Sequence, residues 1–119
     1  MARTRQSTAC ACAVTRAARL LGDHWTLLIL RDLGGGCRRF RELQESTGMS
    51  PGVLSGRLRS LEAAGMITRR QYSEIPPRVE YTLTEKGRAA LPIVEQLRAY
   101  GETWLVEDDL PDECDAAGA

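Results

Sequence analysis

Long apolar runs are missing from this sequence. No stretch reaches the roughly 18–20 residues that a membrane-spanning helix needs, so no membrane partner is expected. The opening Met1-Ala2-Arg3-Thr4-Arg5 has no apolar segment behind its charges. It does not read as a secretory signal, which leaves the cytoplasm as the expected location. Histidine is scarce too, since His24 stands alone. No nucleophile, base and acid are grouped, and Gly34-Gly35-Gly36 has neither the spacing nor the lysine of a phosphate-cradling loop. Catalysis is therefore not expected. Cys10, Cys12, Cys37 and Cys114 match no usual zinc spacing, and cytosolic thiols are kept reduced. Neither a metal, nor a disulfide framework, nor any cofactor is expected.

What is present is charge, unevenly placed. Sixteen bases balance 16 acids, for a formal net charge of +0. All 16 bases fall within residues 1–101 beside 9 of the acids, whereas residues 102–119 hold the other 7 acids and no base. A basic body with an acidic tail suits a domain that binds a polyanion; a solvated arginine-rich surface is the plain alternative. The expected organisation is a flexible arm over 1–11, a folded domain over 12–106 and a disordered acidic tail over 107–119.

Within the folded part the apolar period is helical first. Val14, Ala17, Ala18 and Leu21 make one face, ended by Gly22. Asp23 can cap the next helix, which is apolar on nearly every side through Trp25, Leu27, Leu28, Ile29, Leu30 and Leu33 until the three glycines stop it. Phe40 and Leu43 mark a short helix closed by Gly48. Ser50 is then a good N-cap with Pro51 at the first helical position, Leu54, Leu58 and Leu61 on the inner face, and Gly65 beyond the last turn. Two helices joined by Thr47-Gly48-Met49 have the layout of a helix-turn-helix. The period next becomes two, with strands over 66–72 and 78–83 around a stiff Ser73-Glu74-Ile75-Pro76-Pro77 loop. Thr84 caps what reads as one final helix carrying Leu91, Val94, Leu97, Tyr100, Trp104 and Leu105. The fold class is mainly α (α+β), a winged helix-turn-helix with a two-stranded wing and terminal helices suited to dimerisation.

The run from Cys12 through Leu21-Gly22-Asp23-His24-Trp25 to Leu33 resembles the opening of HxlR-type transcription regulators, within the MarR-like group. Arg38-Arg39-Phe40-Arg41-Glu42-Leu43 and Ser50-Pro51 with Val53-Leu54-Ser55 and Arg57-Leu58-Arg59 are similar to the same family. The most specific piece is the wing, Glu74-Ile75-Pro76-Pro77-Arg78-Val79-Glu80-Tyr81-Thr82-Leu83-Thr84-Glu85-Lys86-Gly87. The resemblance implies a homodimer formed by the first and last helices, with Val14, Leu21, Leu97, Tyr100 and Trp104 at the interface. It also implies control of one or a few operons, commonly a neighbouring one; repression is the expected outcome, with activation left open by the sequence. Relatives often carry long polar side chains where this chain has Gly52 and Gly56, which removes two base readers.

For double-stranded DNA as the partner, Ser50, Pro51, Gly52, Val53, Ser55, Gly56, Arg57 and Arg59 form the expected reading helix. Ser55 and Arg57 are the candidates for base edges, Val53 for a thymine methyl, and Arg59 for a phosphate or a neighbouring acid. Arg78 on the wing is placed for the minor groove or its phosphates, and Arg39 and Arg41 for the backbone. Cys12, at a helix start with Arg16 one turn on, falls where some of these regulators sense oxidants or electrophiles; Cys10 is its candidate partner. The alternative for Cys12 is a small residue packed in the dimer interface. Two further readings stay open: a small-molecule inducer held near Trp25, Tyr100 and Trp104, and a winged-helix module that binds protein and not DNA.

Overall fold

The computed structural model describes residues 12–36 and 38–105. The arm, the acidic tail, Cys10, Cys37 and Cys114 thus lie outside the described residues. In chain order the elements are α1 (Ala13–Leu21), α2 (His24–Gly34), α3 (Phe40–Thr47), α4 (Pro51–Ala63), β1 (Ile67–Tyr72), β2 (Arg78–Leu83), α5 (Glu85–Arg88) and α6 (Leu91–Trp104).

The apolar α2 is the central post. Asp23 caps it, accepting from the Thr26 N–H at 3.1 Å and the Thr26 hydroxyl at 3.3 Å. Ile29 and Leu30 are fully buried, and Leu33 nearly so. Against them pack Leu43 of α3, Met49 of the turn, Leu54, Leu58 and Leu61 of α4, Met66, Ile67 and Tyr81 of the wing base, and Ala90. One core thus serves the helix pair and the wing together.

The turn between α3 and α4 is fixed locally. Gly48 takes the left-handed conformation at φ 75°, which a side chain would resist, and its N–H returns to the Gln44 carbonyl at 2.8 Å. The Thr47 hydroxyl donates to the Leu43 carbonyl at 2.7 Å and accepts from the Met49 N–H at 3.2 Å. These bonds satisfy groups that the end of α3 would otherwise leave unpaired.

β1 and β2 pair antiparallel, with Ile67 opposite Leu83 and Tyr72 opposite Arg78. Thr68 and Thr82 face each other, their hydroxyls 2.8 Å apart. The Ile75–Pro76 bond is cis. The single final helix expected after Thr84 is instead two. Thr84 caps the one-turn α5 by accepting from the Gly87 N–H at 3.1 Å, and α6 starts afresh at Leu91. Pro92 gives the physical reason: it lacks an N–H and its ring opposes a helical turn running in from residue 88. Gly87 is buried where a β-carbon would strike the Met66 carbonyl oxygen, so that position admits nothing larger. Among the described residues no helix is long and apolar enough to cross a membrane.

Candidate nucleic-acid interface

The Leu54, Leu58 and Leu61 stripe turns one side of α4 into the core, and this fixes what the other side presents. Ser50 holds the N-terminus, its hydroxyl accepting from the Val53 N–H at 3.3 Å, with Pro51 following. Ser50, Pro51, Gly52 and Val53 are all exposed. By spacing, Gly52, Ser55, Gly56 and Arg59 share the outer face. A β-carbon at Gly52 would meet nothing within 4 Å, and one at Gly56 would meet only Arg59 Nη2, at 3.9 Å. Among the described residues, nothing in the fold requires either glycine. Arg59 Nη1 donates to Ser55 Oγ at 2.9 Å, so these two polar groups lie bridged across the glycine face.

Arg57 behaves differently. Its Nη2 donates to Asp23 Oδ1 at 3.4 Å, and its Nε lies 2.9 Å from Asp23 Oδ2 without the alignment of a hydrogen bond. The pair spans from the cap of α2 to the middle of α4. Sequence reasoning placed Asp23 as a cap alone, because nothing local connects residues so far apart in the chain.

Arg39 and Arg41 are exposed at the start of α3. Glu42 Oε1 accepts from the N–H groups of Arg38 and Arg39 at 2.9 and 3.0 Å. Those two bonds, Arg38's first, hold the Glu42 carboxyl below the usual carboxylate range, with the Arg39 and Arg38 charges adding to them. The front of α3 is therefore occupied by its own carboxylate, and any phosphate contact here falls to the Arg39 and Arg41 side chains.

On the wing, Arg78 Nη2 lies 3.0 Å from Glu80 Oε2, with Glu74 at 3.9 Å from Nη1. Arg78 and Arg70 each approach the Tyr72 ring at 5.3 Å, and the Tyr72 hydroxyl donates to Glu80 at 3.3 Å. Arg70 and Tyr72 join the site unforeseen; their signal was the β1–β2 register, visible only once the hairpin is paired. Ile75 stands fully exposed in the wing loop. Lys86 and Arg88 serve the fold instead, donating to the carbonyls of Ala64 at 2.7 Å and Leu83 at 2.9 Å.

Away from this face, Cys12 is exposed at the N-cap of α1. The Thr15 N–H, then the Val14 N–H and the Thr15 hydroxyl, favour its thiolate and lower the thiol pKa against a small opposing effect of burial. The pull comes from the helix start rather than from a neighbouring guanidinium. Val14, Leu97, Tyr100 and Trp104 are largely exposed, with Ile93 and Leu105 beside the last three. Leu21 departs from that set, being half-buried against the chain's own core. A shallow groove on α6 is lined by Ile93, Leu97, Tyr100 and Trp104. Trp25 lies outside it, its ring tilted 35° to that of His24 with 4.4 Å between the ring centroids. No group of three or more His, Cys, Asp or Glu among the described residues is arranged to hold a metal.

A capped helix pair followed by a two-stranded wing on the same core defines a winged helix-turn-helix protein. The HxlR-like helix-turn-helix family model matches residues 20–109, and the chain belongs to that family. An uncharacterised HTH-type transcriptional regulator of Synechocystis is 41% identical over 98 residues, covering 82% of this chain and 73% of its own. A like-named regulator of Mycobacterium bovis is 41% identical over 99 residues, and the match spans 63% of its length. Among solved structures, a putative MarR-family regulator from Porphyromonas gingivalis superposes with TM-score 0.73 at 35% identity, covering 80% of this chain and 94% of that one. The reduced form of YodB from B. subtilis gives 0.67 at 35% identity, over 79% and 94% of the two chains. The redox regulator HypR in its oxidised form gives 0.73 at 35% identity, over 77% and 96%. The protein is accordingly a helix-turn-helix transcriptional regulator and not an enzyme.

Proposed function

We propose that this chain is a sequence-specific DNA-binding repressor that works as a homodimer on an inverted repeat and is released by oxidation or alkylation of Cys12. The observation that carries the DNA reading is the outer face of α4. It is capped, exposed along its first turn and free of bulk at Gly52 and Gly56, with Ser55, Arg57 and Arg59 around it and the Arg70–Tyr72–Arg78 group on the wing. Such a face can enter a major groove closely while the wing meets the adjacent backbone or minor groove. The helix N-terminus adds N–H groups and dipole for a phosphate.

The redox reading rests on an exposed thiol whose ionisation is favoured by the start of α1. It also draws on the kinship with YodB, known in reduced and diamide-treated forms, and with HypR. The dimer reading rests on the uncovered apolar faces of α1 and α6. Induction by a small molecule is the second reading, favoured by the α6 groove beside Tyr100 and Trp104.

The test is binding to the DNA beside the protein's own gene against scrambled DNA, across a salt series, reduced and after diamide. Selective binding that weakens steeply with salt and is lost on oxidation is expected. Selective binding indifferent to diamide moves the signal to the α6 groove. No preference there or at any genomic site defeats the sequence-specific reading.

A further inference from the structure

Asp23 is engaged twice. Through Oδ2 it accepts from the Thr26 N–H and hydroxyl and so caps α2; through both oxygens it faces the Arg57 guanidinium on α4. The cap fixes the carboxylate on the central helix of the core, and the fixed carboxylate in turn restrains a long side chain that would otherwise sample many rotamers. Arg57 is not used up by this. One Nη2 hydrogen goes to Oδ1, Nε lies close but unaligned, and Nη1 has no partner at Asp23. The side chain remains about two-fifths exposed. A guanidinium held along one edge, with donors to spare on the other, is set for a two-pronged contact to a guanine edge or a phosphate.

We infer that Asp23 is a positioning residue for DNA discrimination: it presents Arg57 to the bases from a fixed point on α2. The inference rests on the DNA-binding reading above. It gives Asp23, an acid that repels the DNA backbone, a favourable role in binding.

The test is a double-mutant cycle of Asp23→Ser and Arg57→Ala, read as affinity for the operator and for scrambled DNA. Serine keeps a capping oxygen and removes the charge, and thermal unfolding checks that the cap survives. Asp23→Asn is the second variant should the serine lower stability. We expect Asp23→Ser to reduce the operator-to-scrambled ratio roughly three- to tenfold, the loss of one charge-assisted orienting contact. With Arg57→Ala already in place, it should cost little more. A role in the fold alone would move the unfolding temperature and leave the ratio untouched. Tighter binding by Asp23→Ser, equal losses on both DNAs, or losses that multiply in the double variant would each overturn the inference while leaving wild-type DNA recognition standing. A wild type without operator preference would instead defeat the reading beneath it, and this inference with it.

Discussion

The Tyr81 N–H donates to the Arg38 carbonyl at 2.8 Å, joining the outer edge of β2 to the segment that leads into α3. Tyr81 also pairs with Arg69 across the hairpin and buries its ring in the core. The wing is thereby anchored to the same frame that holds the helix pair, and the spacing between α4 and Arg78 is set by packing rather than by a hinge. Tyr81→Ala removes the ring and leaves a cavity at this junction. It should cost about 3–5 kcal/mol of stability, as for other large aromatic truncations. That is a large part of the ~5–15 kcal/mol available to a domain. A urea midpoint that stays in place would refute the anchoring.

The two glycines of α4 separate stability from function. Glycine in a helix interior, as at Gly56, costs roughly 0.5–1 kcal/mol relative to alanine and Gly52, in the first turn, less; neither site would clash with a β-carbon among the described residues. Gly52→Ala and Gly56→Ala should therefore each raise the unfolding temperature. If the α4 backbone approaches DNA closely, the same variants should bind the operator severalfold more weakly. Greater stability with unchanged affinity would mean that the glycine face does not touch the groove.

The apolar period made most of this fold legible. The stripe of Leu54, Leu58 and Leu61 and the Ser50–Pro51 start located the reading helix, because caps and burial faces are local properties. The alternation of Val79, Tyr81 and Leu83 located the second strand for the same reason. What escaped was non-local or competing. Asp23 and Arg57 meet only through tertiary packing. The break between α5 and α6 turned on Pro92, which the apolar stripe of Leu91, Val94 and Leu97 overrode in the sequence reading. The family resemblance puts Leu21 at a subunit interface; part of it packs against the chain's own core, a division that a helical stripe does not reveal.

Thiol reactivity has a sign that follows from α1. The Thr15 and Val14 amides and the Thr15 hydroxyl favour the charged form of Cys12, so its pKa lies below that of the unfolded chain. At neutral pH the folded protein thus carries the larger thiolate fraction. The rate of alkylation at Cys12, followed by peptide mass, should rise with pH to a midpoint lower in the folded protein than in urea. Thr15→Val removes the hydroxyl share and should move the midpoint up. Coincident midpoints in the folded and unfolded chains would remove the physical basis for a sensor at this position.

The α6 face offers the sharpest test of assembly. Leu97, Tyr100 and Trp104 are 48%, 60% and 67% exposed, and no residue of α1 or α6 is fully buried. A monomer therefore gains little stability from these side chains, and replacing one should leave its fold intact. In a two-fold dimer the same replacement occurs twice. Leu97→Glu would desolvate two like charges at the interface, at a cost on the order of several kcal/mol per ion. Each ~1.4 kcal/mol is tenfold in the dimerisation constant, so a micromolar solution should shift to monomer. Sedimentation should show half the wild-type mass with an unchanged helical spectrum. Operator binding should fall with it, because two half-sites about one DNA turn apart must then be bound independently. A Leu97→Glu protein that stays dimeric would assign the pairing to another surface and leave the α6 groove free for a small ligand.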